Sequence, residues 1–539
     1  MYRCCVTTTI RECNDRGFEC CLLSDCTDGF DAQMVTTAMD TICAQDGLFG
    51  FVGDSSDFLE QTGDYTPADP TVPEEVLPSI PQLVRKYREG TEDPIRIVNM
   101  VYDRVEQYME KDPTLWSHIQ SREDVLAATQ ALAARYSEDK YNVPPLFGVP
   151  FAVEDTIDVA GIPTMAACAA YTPDAAAPVV QALLDSGAIF IGRLRVDQLA
   201  VELLGCNSGS SSGAAVAVGA GLVPFTLATD TTGDSLISGG LSGVVTFKTT
   251  KGTISTQGIA PVCPSQDTIS IMARSTKDAR RVWLQLQKAD NTNEPYAKPF
   301  ASLPTWHIDA RDPRPWKDKF RFAVPPAALL DEVCSPVDRA LFNAAIEMLR
   351  GCGGTLVDID HEPFETTRKL VASDNEAGAS LLVLEHMAAT GAESISDNLS
   401  TLHPRSQKIY KHHLSTSIKP WTILQAQARQ AECTRKVQAL FDPLNPDGID
   451  ILVVSSTPVN PTLGDSEREM AAETLDPKVA GFTSAINVLD LCAVGVNAGS
   501  IPESGSSPDL PFGVAFIGGM GYDARVLELA RCFEEARNS

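Results

Sequence analysis

Apolar residues recur at three- and four-residue spacing through "PIRIVNMVYDRVEQYME" (94–110), which predicts an amphipathic helix. From Pro144 the pattern changes to short apolar runs between Gly/Ser turns: "GVPFAV" (148–153), "AIFIGRL" (188–194) and "FTLATDT" (225–231). A helix of small residues, "SSGAAVAVGAGL" (211–222), separates the last two. Further runs follow at "TLVDID", "DILVVSS" and "PFGVAFIGG", interleaved with helical patterns such as "DRALFNAAIEMLRGCGG" and the terminal "DARVLELARCFEEARN". Strands alternating with helices predict an α/β domain whose central sheet is parallel or mixed and covered by helices on both faces.

The first 60 residues carry a different pattern. "CCVTTTI" opens on a strand pattern and runs into "RECNDRGFECCLLSDCTDGF", giving an expected strand, helix, strand, helix order. Residues 61–80 carry four prolines and four acids, the composition of a linker. The expected organisation is therefore a short α/β fragment (1–60), a Pro-rich linker (61–80) and a large domain (81–539).

Composition narrows the function. Of 539 residues, 44% are hydrophobic, enough to bury a sizeable core. Lys and Arg number 43 against 71 Asp and Glu, a net charge of -28 that repels nucleic acid and anionic membrane surfaces. The longest uncharged stretch, Leu203 to Thr229, is too rich in glycine and serine to face lipid. The expectation is a soluble, cytoplasmic protein without nucleic-acid or membrane partners. Fifteen cysteines include seven within the first 43 residues, but no CxxC pair and no histidine accompany them there. Free thiols, and no metal, are expected. The seven histidines, including the adjacent His412 and His413, show no ligand spacing.

"NSGSSSGAAVAVGAGLVPF" (207–225) places serines and glycines at a helix start, where backbone N–H groups and hydroxyls can hold an anion or a polarised carbonyl. It is equally the pattern of a close-packed helix with a serine N-cap. Three stretches shift the balance toward a site by their order and spacing: "GVPFAVEDTIDVAGIPT" (148–164), "SGSSSG" (208–213) and "TDTTGDSLISGGLSGVVTFKTTKG" (229–252). Together they resemble the signature of the amidase signature family. The triple serine, "STQGIAPVCPSQDTISIMA" (255–273) and "LPFGVAFIGG" (510–519) are most similar to its allophanate hydrolases.

The resemblance implies an amidase signature fold that cleaves amide-type bonds without a metal or cofactor, and a homodimer is expected from it. In the family a neutral lysine takes a proton through a bridging serine in a cis peptide. A second serine attacks the carbonyl, and backbone N–H groups hold the oxyanion. Carried onto this chain, the lysine falls on Glu154, the bridging serine on Ser210 and the nucleophile on Asp234; the oxyanion turn is Thr231, Thr232 and Gly233. An arginine common two residues after the nucleophile is Leu236. Two of three catalytic parts are thus replaced by acids, and ordinary hydrolysis is not expected.

Two carboxyls sharing a cavity with Ser210 cannot both ionise easily, so they can act as acid and base. That points to cyclisation, isomerisation or elimination on a small carbonyl or amide-like metabolite, as an accessory to specialised metabolism. A noncatalytic protein that binds a ligand or partner is the alternative. Residual amide or urea-derivative hydrolysis, with Ser235 or Ser210 as nucleophile, is a third. Residues 1–60 resemble the last third of isochorismatase-like cysteine hydrolases, with Cys5 at the place of the nucleophile. The earlier part of that domain is expected to be missing, through truncation in evolution or a clipped gene model.

Overall fold

A computed structural model describes residues 21–23, 51–53, 77–138, 142–164, 171–196, 211–292, 294–298, 319–371, 385, 407, 411, 419–442, 444–458, 481–501 and 509–538. The chain divides into two compact units, one of residues 1–77 and 309–315 and the other of the remainder. In the first, strands β1 (Cys21–Leu23) and β2 (Phe51–Gly53) pair in parallel. Cys5 and the expected linker lie outside the described residues, apart from the last four linker positions.

The second unit is built on one sheet of eleven strands. They are β3 (Trp116–Ile119), β4 (Pro150–Glu154), β5 (Ile189–Leu194), β6 (Phe225–Asp230), β7 (Val245–Lys248), β8 (Thr268–Ala273), β9 (Phe320–Ala323), β10 (Gly354–Leu356), β11 (Ile451–Ser455), β12 (Cys492–Ile501) and β13 (Leu510–Gly518). Their spatial order is β10-β9-β11-β13-β12-β7-β8-β6-β4-β5-β3. The sheet is mixed. β10, β9 and β11 run parallel at one end, and β6, β4 and β5 run parallel at the other. Between them β13, β12, β7 and β8 pair antiparallel.

Helices α1 (Ile80–Glu89), α2 (Pro94–Met109), α3 (Arg122–Arg135), α4 (Pro178–Asp185), α5 (Ser212–Gly219), α6 (Asp234–Ser242) and α7 (Thr276–Leu286) belong to the first half. The second half contributes α8 (Ala327–Val333), α9 (Pro336–Gly351), α10 (Glu362–Val371), α11 (Pro420–Leu440) and α12 (Asp523–Asn538). The amphipathic pattern expected at 94–110 is α2, capped by Asp93, whose side chain accepts from Ile95 N, with Pro94 at the first turn. It buries Ile97, Val98, Val101, Tyr102 and Val105 along one face.

α5 is short and buries Gly213, Ala214, Ala215, Ala217 and Val218, and neighbouring backbone comes very close to it. A Cβ at Gly213 would lie 2.5 Å from the Arg195 carbonyl oxygen, and one at Gly219 would lie 2.8 Å from that of Ser242. Small residues are therefore a packing requirement here. Among the described residues no helix is long and apolar enough to cross a membrane.

Candidate active site

The site forms where β4 and β6 end side by side. Their parallel pairing runs from Phe151 with Phe225 to Val153 with Leu227. One residue beyond it stands Glu154, only 1% exposed. Its Oε2 accepts the Thr229 N–H at 2.7 Å and the Thr229 hydroxyl at 3.1 Å. The Ser211 hydroxyl lies beside the same carboxyl and within 3.1 Å of the Thr229 carbonyl oxygen, two acceptors between which its one proton is shared. Glu154 Oε1 is then buried without a hydrogen-bond partner among the described residues.

Burial dominates the electrostatics of Glu154 and pushes its carboxyl up to about 7. Hydrogen bonding from Ser211 and Thr229 works against that rise, while the neighbouring Asp230 carboxylate adds to it.

Asp234 opens α6 and is likewise buried. Its Oδ1 accepts the Thr231 N–H at 3.3 Å, and its backbone carbonyl accepts the Ser238 hydroxyl. The amides of Thr229 and Thr231, which meet Glu154 and Asp234 respectively, are two residues apart, about 7 Å along an extended chain. One short piece of backbone thus touches both acids. Gly233 makes the turn possible. Its φ is 81°, and a Cβ there would sit 2.5 Å from the Thr483 carbonyl oxygen.

The turn is held by Asp230, an acid that in the sequence is no more than the middle of "TDT". It is fully buried. Its Oδ1 accepts Gly233 N–H at 2.8 Å, and its Oδ2 accepts both the N–H and the hydroxyl of Ser235. Two of the three amides expected to hold an oxyanion, those of Thr231 and Gly233, therefore meet carboxylates of the turn itself. Thr232 is buried beside them. Ser235 is wholly buried, its hydroxyl shared between Asp230 and Ser270 Oγ at 2.9 Å, and it fastens the turn. Leu236 is a core residue.

Ser210 lies outside the described residues; the serine placed against Glu154 is its neighbour Ser211. Sequence reasoning also missed Asp267 and Lys248. Asp267 accepts the Thr231 hydroxyl at 2.6 Å, and burial pushes its carboxyl up to about 6. Lys248 is completely buried and donates to the carbonyl oxygens of Thr249 and Leu491; burial lowers its pKa, against the pull of Asp230. Both residues fall within the family-like stretches, but nothing in a sequence marks the distant partner of either, the Thr231 hydroxyl for Asp267 and the Leu491 carbonyl for Lys248.

Among the described residues no group of three or more His, Cys, Asp or Glu could hold a metal ion. The described cysteines Cys263, Cys334, Cys352, Cys433, Cys492 and Cys532 are free. Of the histidines, His118 sits on the edge strand β3 and His361 precedes α10; His412 and His413 are outside the described residues.

A family model described as amidase matches residues 96–527. The urea amidolyase of Saccharomyces cerevisiae is 31% identical over 77% of this chain, a match spanning 22% of that protein. That of Lachancea kluyveri is 33% identical over 72% of this chain and 20% of its own length. The chain thus covers only a small part of the urea amidolyases it resembles. Among solved structures, Kluyveromyces lactis allophanate hydrolase superposes with a TM-score of 0.68 at 26% identity, over 86% of this chain and 73% of that one.

Proposed function

The chain belongs to the amidase family, and from that premise we propose that it moves protons on a small carbonyl compound instead of cleaving amides. Glu154 and Asp234 serve as acid and base in a cyclisation, isomerisation or elimination.

The observation that carries this reading is Glu154. A buried carboxyl brought up to about 7, with one oxygen docked on Thr229 and the other without a partner among the described residues, suits a group that must both give and take a proton near neutral pH. In our reading it stands at the position that the resemblance implies for the family's lysine. Three features of the same turn speak against hydrolysis. On the resemblance the nucleophile's place falls on an acid, Ser235 gives its hydroxyl proton to Asp230, and two of the amides expected to hold an oxyanion face carboxylates.

Comparing the metabolites of cells with and without the gene identifies the compound that accumulates. On that compound, Glu154→Gln and Asp234→Asn each abolish turnover, and the wild-type rate follows a bell-shaped pH profile. Ammonia release from amides or ureas would instead establish residual hydrolysis. If every variant keeps the wild-type phenotype at normal abundance, the protein is a noncatalytic binder.

A further inference from the structure

The loop of residues 261–267 leading into β8 is pinned from both sides by carboxylates. On one side Asp267 folds back on it: Oδ2 accepts Val262 N–H at 3.0 Å, and both oxygens accept Cys263 N–H at 3.0 and 3.1 Å. On the other side Glu385, 120 residues away from Ser265, accepts the Ser265 hydroxyl at 2.8 Å and its N–H at 3.1 Å. It also accepts the Cys263 thiol at 3.1 Å. Asp267 then spends its remaining capacity on the Thr231 hydroxyl, at 2.6 Å.

Thr231 is the meeting point. Its side chain is tied to Asp267 and its backbone N–H is aimed at Asp234. We propose that Asp267 is a positioning residue: through the Thr231 hydroxyl it holds the Thr231 amide against Asp234, while Glu385 clamps the loop that carries Asp267. The inference rests on Asp234 being one of the two working acids.

The partners of Asp267 favour an ionised carboxylate. Val262 and Cys263 aim fixed N–H donors at its oxygens, so a proton finds a place only on Oδ1 toward Thr231, whose hydroxyl must then turn from donor to acceptor. The titratable groups facing it are Glu385 and the Cys263 thiol, which burial and the two acids keep protonated. Asp230, at the end of β6, and Glu154, at the end of β4, flank the same turn. Burial first, with Glu385 adding, brings the Asp267 titration to about 6. Below that pH the clamp on Thr231 loosens.

The decisive measurement follows the Asp234 carboxyl itself, by infrared difference spectroscopy of full-length protein with isotopically labelled aspartate across about pH 4 to 9. Its band is assigned by its disappearance in Asp234→Asn. Thr231→Val removes only the hydroxyl and raises the Asp234 midpoint by roughly one pH unit, the size of one weakened hydrogen bond to the charged form. Thr231→Ser restores the wild-type value. Independently, the Asp234 band shifts in step with ionisation of Asp267 near pH 6, and Glu385→Gln moves that step to lower pH by removing a like charge. A folded Thr231→Val protein with the wild-type midpoint overturns the proposal. So does an Asp234 band that ignores the Asp267 step, a result readable in wild type even if Thr231→Val fails to fold. These readings need no turnover, so an absent activity would count against the proton-transfer reading alone.

Discussion

Glu154 ties a single side chain to the stability of the whole unit. Its folded pKa, about 7, lies above the ordinary carboxyl value of 4.5, so the folded state holds a proton that the unfolded chain has lost between those values. The sign follows. As pH rises from about 4.5 to 7 the fold loses stability through this group, by roughly 3 kcal/mol in total, and the loss then levels off. Glu154→Gln keeps a neutral side chain whose oxygen can still accept both Thr229 donors. It should melt close to wild type near pH 4.5 and higher than wild type at about pH 8, as a pH series of thermal unfolding curves would report. The sequence made Glu154 visible only because the resemblance marked it as out of place. Asp230, Ser211 and Asp267 were illegible for another reason: each bonds main-chain groups as well as hydroxyls, and a side chain that bonds to backbone leaves no spacing to recognise.

At the scale of elements, periodicity was a good guide where one face decides the outcome. α2 and the strands β4, β5 and β6 fall within the stretches whose apolar pattern predicts them. A mixed sheet was expected, but which of its strands run antiparallel was not, because strand direction depends on how connections cross and not on local pattern; the edge strand β3 was also not foreseen. The α5 sequence left open whether its small residues serve a ligand or close packing, and its glycines show that packing alone requires them. Gly213→Ala would push a methyl group against the Arg195 carbonyl, a backbone atom with little freedom to yield. The expected cost is roughly 1–3 kcal/mol, measurable as a lower midpoint in urea. Gly161→Ala is a useful contrast, since no atom lies within 4 Å of its Cβ position and only its φ of 73° opposes the change.

For the whole molecule, a net charge of -28 means that folding gathers many like charges into a small volume. Exposed ion pairs such as Arg429 with Glu362 and Lys436 with Glu432 offset this locally and weakly. Salt should therefore stabilise the protein. Raising the ionic strength from about 0.01 to 0.15 M shortens the screening length from about 30 to 8 Å, and the thermal midpoint should rise; a fall would mean that attractive pairs outweigh the repulsion. The alternation of strands and helices made the α/β architecture legible, because it depends on total pattern. The functional reading depends on a few contacts around one turn, which only the folded chain brings together.

The main-chain amide that docks Glu154 has a consequence for the direction of change. The Thr229 N–H lies just past the last paired residues of β4 and β6, aimed at position 154. An ammonium there would set a cation against that donor and strand it, whereas any side chain with a free lone pair can satisfy it. Changes at position 154 thus run most easily between side chains that keep an acceptor on this amide, and any other leaves a buried N–H unsatisfied.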